Sequence, residues 1–248
     1  MAAFRLALAQ GADGVELDVA LSADGAVVVI HDDTVDRTTD GAGRVDHFTL
    51  AELKRLDASS PGQFGAQFAG ERIPTLDEVF RALPPPALIN VELKRDTSPE
   101  RNLAAEVVAM VRASGLEERV WLSSFHYDNL ARAKRLAPRL PVGLLYAPNE
   151  PLRMLRAWLW PGVRAQAQHP YHLLAQALAV RWWHWRGYQV NVWTVNTEPA
   201  LRRAMQQGVD AVITNYPDVA VWVRSAILEA VSQPRRAADH GWRQYRRR

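Results

Sequence analysis

The stretch Gly14–His31, which reads GVELDVALSADGAVVVIH, decides the fold at the start of this chain. Apolar and polar residues alternate from Val15 to Val19, and this period of two is typical of a strand. A second run, at residues 26–30, is rich in β-branched residues, and only four residues separate it from the first run. So short a connection cannot make a parallel crossover, so the two runs are predicted to form an antiparallel hairpin.

The turn of this hairpin determines which side chains face one another. Asp24-Gly25 is a strong turn signal, because a type I′ turn needs a positive φ at both central residues. A turn centred there puts His31 opposite Asp18, and a turn one residue earlier puts it opposite Glu16. Both registers predict two carboxylates and an imidazole on one face, within the distance of cross-strand neighbours. Such a group is costly to bury unless it holds a metal or does chemistry.

Length and composition limit the class of protein. The chain has 248 residues, 48% of them hydrophobic, which suits one large α/β barrel domain or two small domains. The net charge is +3 and much of the basic excess lies at the C-terminus, so no nucleic-acid partner is predicted. Cysteine is absent, which excludes disulfides and thiolate metal sites. No apolar run approaches a transmembrane length and the first ten residues do not resemble a secretory signal, so we expect a cytoplasmic protein.

Strand and helix signals alternate along the rest of the chain. Beside the return arm of the hairpin, seven strands are predicted, near Val15, Ile89, Trp121, Val142, Ala165, Val192 and Val212. Helices are predicted at residues 2–10, 49–57, 74–83, 99–114, 127–136, 150–158, 171–186, 199–207 and 217–231, with an irregular segment at 59–70. This alternation favours a parallel sheet with helices outside it. Because a TIM (β/α)8 barrel has eight strands, the prediction is an α/β TIM barrel that lacks its first strand.

The predicted domain organisation is simple. Residues 1–231 are predicted to form a single barrel domain with a β-hairpin and a small insertion at about 32–74. The remaining residues, 232–248, are rich in Arg and are predicted to be a disordered tail. The tail could contact an anionic lipid surface, although an unstructured, solvated tail is favoured.

Several motifs resemble the glycerophosphodiester phosphodiesterase family. They occur in the family's order and cover nearly the whole chain: GVELDVALSADGAVVVIHDDTVDRTTDGAGRV, LAELKRLDA, IPTLDEV, NVELK, SSF, VNVWTVN and GVDAVITNYPD. Each fragment alone is a weak signal, but the ordered set is specific. The resemblance implies a TIM barrel that hydrolyses deacylated phospholipid headgroups to glycerol 3-phosphate and an alcohol, with a divalent cation, Ca²⁺ or Mg²⁺, as cofactor.

The resemblance also implies a metal-ligand set. The family's ELD motif makes Glu16 and Asp18 metal ligands, and its ELK motif adds Glu92 as the third. A set of oxygen ligands suits a hard cation, which agrees with the residue types. The IHD motif makes His31 one of two catalytic histidines, acting as general acid or base.

The resemblance assigns substrate contacts as well. It implies that Lys94 contacts the phosphate, and that Phe125 and Trp193 line the side where the glycerol moiety or the leaving alcohol packs. The family opens with a strand ending in His-Arg-Gly and a Pro-Glu-Asn-Thr turn, neither of which has a counterpart after Met1. The second catalytic histidine is therefore missing from the sequence, and we expect impaired activity.

Two other functions remain open. The first is a lysophospholipase D-like phosphodiesterase, which would share the metal site and act on lysolipids. The second is a non-catalytic barrel that binds a phosphorylated ligand, although three carboxylates argue against a pure binding protein.

Some polar and aromatic residues have ordinary structural explanations. Trp182, Trp183 and Trp185 could form a membrane-facing patch, but an outer helix that packs aromatics on the sheet, with one or two of them left exposed, is favoured. Arg37 is expected to shape the inserted loop rather than to contact substrate. Histidines near the strand ends, among them His169, could reach the site, but the sequence assigns them no role.

Overall fold

The computed structural model describes residues 1–95, 102–149 and 163–232, in which strands and helices alternate. The strands are β1 Gly14–Leu21, β2 Val27–Val29, β3 Leu88–Leu93, β4 Val120–Ser124, β5 Val142–Tyr146, β6 Ala167–Pro170, β7 Gln189–Val192 and β8 Ala211–Val212. The helices are α1 Ala2–Ala9, α2 Leu50–Leu53, α3 Pro61–Phe64, α4 Leu76–Ala82, α5 Leu103–Ala113, α6 Tyr127–Leu136, α7 Ala177–Trp185, α8 Glu198–Gln206 and α9 Pro217–Ser232. Two 3₁₀ turns, Val45–His47 and His172–Leu174, complete the described elements.

The strands form one curled sheet in the order β2-β1-β3-β4-β5-β6-β7-β8. All neighbours from β1 to β8 pair in parallel, and β2 pairs antiparallel with β1. The prediction of a parallel sheet with seven strands and an added hairpin arm is therefore confirmed. Because parallel strands need long crossovers, the helices between them lie outside the sheet.

The main core lies between the outer face of the sheet and these helices. Outward side chains such as Leu17 and Val91 are buried there against helix residues such as Val107, Trp183 and Leu201. Successive side chains of a strand point to opposite faces. The polar residues that alternate with this apolar set therefore point to the inner face of the sheet.

The hairpin turn differs from both predicted turns. Ser22 donates its backbone N–H to the carbonyl of Ala26 at 3.0 Å, so three residues lie between the paired ends. Gly25, the last of the three, has a φ of +84°, which is typical of a three-residue hairpin loop with glycine in the left-handed position. The predicted two-residue loops were wrong.

The changed turn also changes the register. Val19 pairs with Val29 and Leu21 pairs with Val27. Continuing this register puts His31 opposite Leu17, not opposite either acidic residue, and beyond the end of the β2 ladder. Because a shift of one residue moves side chains to the other face, the predicted direct cross-strand pairing of His31 with a carboxylate is wrong.

The segment after β2 has a small core of its own. Six buried residues from the hairpin and the insertion pack together there: Val28, Ile30, Val35, Val45, Leu53 and Ile73. The helix predicted at 49–57 opens with a capping box, in which Thr49 and Glu52 bond reciprocally, but it ends at Leu53 rather than at residue 57. This second core fixes the polar loop that follows His31.

The division into a domain at 1–231 and a tail stays a prediction.

Several predicted boundaries are displaced. Strand β6 begins at Ala167, later than the strand predicted near Ala165, and its first residue pairs with Gly143 of β5. The predicted helix at 171–186 is divided into the 3₁₀ turn and α7, and the irregular segment at 59–70 contains α3. The predicted helix at 150–158, the start of the one at 99–114 and nearly all of the tail lie outside the described residues.

Candidate active site

Three carboxylates converge on the inner face of β1 and β3. The two strands pair in parallel with Asp18 beside Glu92, and Glu16 lies two residues before Asp18 on the same face. Each of the three offers a carboxylate oxygen, and these oxygens lie within 4.8 Å of one another. The structure therefore brings together the residues predicted as a ligand set, while their role as ligands stays a prediction.

Lys94 lies between two of these carboxylates. Its Nζ is 2.6 Å from Oδ1 of Asp18 and 2.9 Å from Oε1 of Glu92, and all three side chains are largely buried. The backbone carbonyl of Lys94 accepts a hydrogen bond from Nδ2 of Asn129 at 2.9 Å, which ties the end of β3 to α6. In this arrangement the ammonium group offsets part of the carboxylate charge, and its predicted contact with a phosphate stays a prediction.

The site carries more negative than positive charge. Burial, together with the charges of Asp18 and Glu92, raises the pKa of Glu16 to about 8. Burial and the Asp18 charge likewise raise the pKa of Glu92. Burial lowers the pKa of Lys94, but the two carboxylates outweigh this effect and the pKa is raised overall. One ammonium group does not balance three crowded carboxylates, so the donor set fits a hard divalent cation.

His31 is held by a neighbouring ion pair. Its Nδ1 is 2.6 Å from Oδ1 of Asp32, and Asp32 in turn accepts hydrogen bonds from Nε and Nη2 of Arg37 at 2.6 and 2.9 Å. The Arg37 hydrogen bonds hold the pKa of Asp32 well below its usual range, so Asp32 is an ionised acceptor. Nδ1 of His31 must therefore carry the proton in a neutral ring, which leaves Nε2 free to accept one.

The exposed His31 ring stands at the same edge of the sheet as the carboxylates. Ile30 donates its backbone N–H to the carbonyl of Asp18 at 3.0 Å, which places the residue before His31 beside that strand. Burial and Asp18 raise the pKa of Glu92, whereas Lys94 and His31 oppose the rise, so His31 is within electrostatic reach. His31 therefore comes near the carboxylates as part of the loop after β2, and not as a cross-strand neighbour in the β1–β2 ladder.

Aromatic rings line the adjoining strand ends. Phe125 follows β4 and Trp193 follows β7, and their ring centroids are 5.3 Å apart in an edge-to-face arrangement. Tyr171 adds a third ring at 5.6 Å from Trp193. The structure thus brings the two predicted substrate-lining residues together. Sequence reasoning missed Tyr171 because the residue fell inside a predicted helix.

A buried histidine supports the aromatic rings. The carbonyl of His169 accepts a hydrogen bond from Nε1 of Trp193 at 2.8 Å. The imidazole itself is buried, with Nε2 3.0 Å from Nδ2 of Asn191. A Cβ at Gly143 would lie only 2.3 Å from this Nε2, so the ring fills the place where residue 143 has no side chain. Burial lowers the pKa of His169 to about 4.

His169 should make stability depend on acid pH. The unfolded chain binds a proton at this residue below about pH 6.5, but the folded protein does so only below about pH 4. Folding stability linked to His169 is therefore lost as the pH falls through this window, by up to about 3 kcal/mol. Chemical denaturation measures the free energy of unfolding of the wild type and of His169→Gln at each pH. Between about pH 6.5 and pH 4, this free energy should fall more steeply with decreasing pH in the wild type. Glu16, whose raised pKa acts in the opposite direction, is present in both proteins, so an equal pH slope would contradict the prediction.

Comparisons with known proteins agree with one another. The glycerophosphoryl diester phosphodiesterase family profile matches residues 1–219. A glycerophosphodiester phosphodiesterase of Caldanaerobacter subterraneus subsp. tengcongensis is 40% identical over 224 residues, which are 89% of each chain. A phosphodiesterase of Oleispira antarctica, solved with the product sn-glycerol-3-phosphate, is 32% identical, with a TM-score of 0.81 over 90% of each chain. A glycerophosphodiester phosphodiesterase of Agrobacterium tumefaciens is 27% identical, with a TM-score of 0.71 over 88% of this chain and 90% of that one.

Proposed function

Because this chain belongs to the glycerophosphoryl diester phosphodiesterase family, we propose that it hydrolyses glycerophosphodiesters to glycerol 3-phosphate and an alcohol. The observation that carries this proposal is the convergence of Glu16, Asp18 and Glu92 around Lys94 at one edge of the sheet. A related structure contains sn-glycerol-3-phosphate, which is the product proposed here.

We propose that the three carboxylates hold Ca²⁺ or Mg²⁺. Burial and the neighbouring carboxylates raise the pKa of Glu16, and the second cause supports this, because a cation would relieve the repulsion among the three groups. When bound, such an ion supplies Lewis-acid stabilisation of charge on the phosphoryl oxygens. The carboxylates of this chain would also fix the position of the phosphodiester relative to the acid–base group.

His31 is the proposed proton carrier. With Nδ1 bonded to the ionised Asp32, its Nε2 can take the proton of the attacking hydroxyl or water. The leaving alkoxide departs on the opposite side of the phosphorus in an in-line displacement, so a second acid, such as a water molecule, has to give it a proton when the P–O bond breaks. Arg37 acts on the proton uptake by His31 through Asp32, because it keeps the carboxylate ionised.

Lys94 and the aromatic residues are the proposed substrate contacts. An ammonium group beside the carboxylates can neutralise charge that develops on the phosphoryl oxygens, provided that it turns from Asp18 and Glu92 toward the phosphate. Phe125 and Trp193 present ring edges and faces against which a glycerol moiety or an alcohol can pack.

A product assay tests the proposal. The purified chain is incubated with glycerophosphocholine and Mg²⁺ or Ca²⁺, and glycerol 3-phosphate is measured with a coupled enzyme. We expect release that an Asp18→Asn variant lacks, and equal release by the two proteins would contradict the proposal. Hydrolysis of lysophosphatidylcholine without glycerol 3-phosphate would favour the lysophospholipase D-like reaction. The reduced activity expected from the sequence stays a prediction, and turnover as fast as that of the Caldanaerobacter relative would contradict it.

A further inference from the structure

Helix α7 shows two faces of different character. Val180 and Trp183 are buried against the sheet. Leu178, Arg181, Trp182 and Trp185 follow the spacing i, i+3, i+4 and i+7, which places them together on the opposite side of the helix. We call these four residues the α7 outer face. The favoured explanation of the tryptophans is confirmed, because Trp183 is buried, Trp182 packs partly against the main core and Trp185 is left exposed.

The α7 outer face exposes large apolar side chains. Leu178 and Trp185 are each 80% exposed, whereas Trp182 is half-buried. The guanidinium of Arg186 lies 5.0 Å from the ring centre of Trp182 and 5.9 Å from that of Tyr188. The rings hold this cation at the border of the face. Burial of two highly exposed apolar side chains would favour any complex that covers them.

The charged side chains of the segment that contains α7 are basic. Residues 163–197 contain no Asp or Glu, although the whole chain has 27 acidic residues, and they contain three arginines. Among the described residues, neither Arg181 nor Arg186 takes part in an ion pair. The acidic residue that meets this helix, Asp210, is engaged by His184 at 2.8 Å and by the N–H of Val190 at 2.7 Å. An anionic partner is therefore complementary to this surface.

We propose that the α7 outer face docks on an anionic phospholipid bilayer. Tryptophan suits this place because its ring packs among acyl chains while its N–H stays in the headgroup region. Arginine pairs with phosphates, and a basic residue near an anionic membrane surface is attracted to it. The described residues contain no helix that is long and apolar enough to cross a bilayer, so the contact proposed is at the surface. This attachment is additional to the hydrolysis proposed above.

Vesicle sedimentation tests the docking without reference to catalysis. The full chain is mixed with phosphatidylcholine vesicles that contain or lack phosphatidylglycerol. We expect preferential binding to the anionic vesicles, with a loss of roughly fivefold in Arg181→Ala and roughly tenfold or more in Trp185→Ala and Leu178→Ala. Trp222→Ala, at an exposed tryptophan of α9, and Arg135→Ala, at an exposed arginine of α6, are matched controls that should bind like the wild type.

Three results would overturn the proposal. The first is equal binding by the wild type and the α7 variants at equal thermal stability, which would assign any lipid binding to another part, such as the Arg-rich tail that all variants share. The second is equal binding to neutral and anionic vesicles. The third is a dimer in size-exclusion chromatography that Trp185→Ala dissociates, because the face would then be covered by a second copy of the chain.

Discussion

Chelation of divalent cations with EDTA is expected to lower the rate of glycerol 3-phosphate release by roughly 10³-fold or more. The physical reason is that the phosphoryl oxygens would lose the cation that neutralises their charge and would face the acidic cluster of Glu16, Asp18 and Glu92, whose ionised members repel the phosphodiester anion. Titration of Ca²⁺ or Mg²⁺ into the stripped protein should restore the rate, and the coupled assay measures both effects.

Substitution of the carboxylates should reproduce the effect of chelation. Asp18→Asn and Glu92→Gln keep the size of each side chain but remove the charge that we propose for metal binding. Both should weaken the binding of the cation, measured by calorimetry, as well as the rate. Glu117→Gln, which removes a charge at an exposed loop position, is the matched control and should behave like the wild type. An EDTA-treated protein that keeps its full rate would exclude the proposed role of the metal.

Replacement of His31 by Gln is expected to reduce kcat by roughly 10²- to 10⁴-fold, with a much smaller change in KM. Glutamine can still form hydrogen bonds, but it cannot take the proton of the attacking hydroxyl or water. Steady-state kinetics of the two proteins on glycerophosphocholine separate kcat from KM and thus measure the prediction.

Two further variants distinguish proton transfer from a general effect of the loop. Asp32→Asn should reduce kcat less than His31→Gln, because the imidazole remains but its tautomer is no longer set by an ionised acceptor. His47→Gln alters another exposed histidine of the insertion and should leave both constants unchanged. A His31→Gln protein with normal kcat would move the acid–base role to another residue.

The alternation of strands and helices was predictable because its signals are local. Apolar periodicity, the Thr49 and Thr75 capping boxes and the terminating glycines depend on residues close in sequence, and the structure has elements at most of those places. Strand β6 was displaced because its sequence, AQHP, has no apolar alternation that marks a strand. Its position is decided by pairing with β5, which sequence reasoning could not see.

The candidate site was predictable to a similar extent. Glu16, Asp18, Glu92 and Lys94 converge because strand alternation and parallel register are regular, and both follow from the sequence pattern. The surroundings of His31 were not predictable. The hairpin loop has three residues instead of the predicted two, and this difference places His31 opposite Leu17 rather than opposite a carboxylate. The Arg37 contact with Asp32 was missed because it depends on the fold of a polar loop.

The imidazole that lies over Gly143 makes two positions interdependent. A larger residue at 143 would have to displace a ring that is fully enclosed and bonded to Asn191, so it is compatible with the fold only if residue 169 becomes smaller. The backbone carbonyl that accepts from Trp193 belongs to residue 169, so a paired exchange that moves the backbone there would also shift the indole. Natural variation at Gly143, two strands away from Trp193, can therefore alter how the rings of Phe125, Tyr171 and Trp193 are arranged without any change in these three residues.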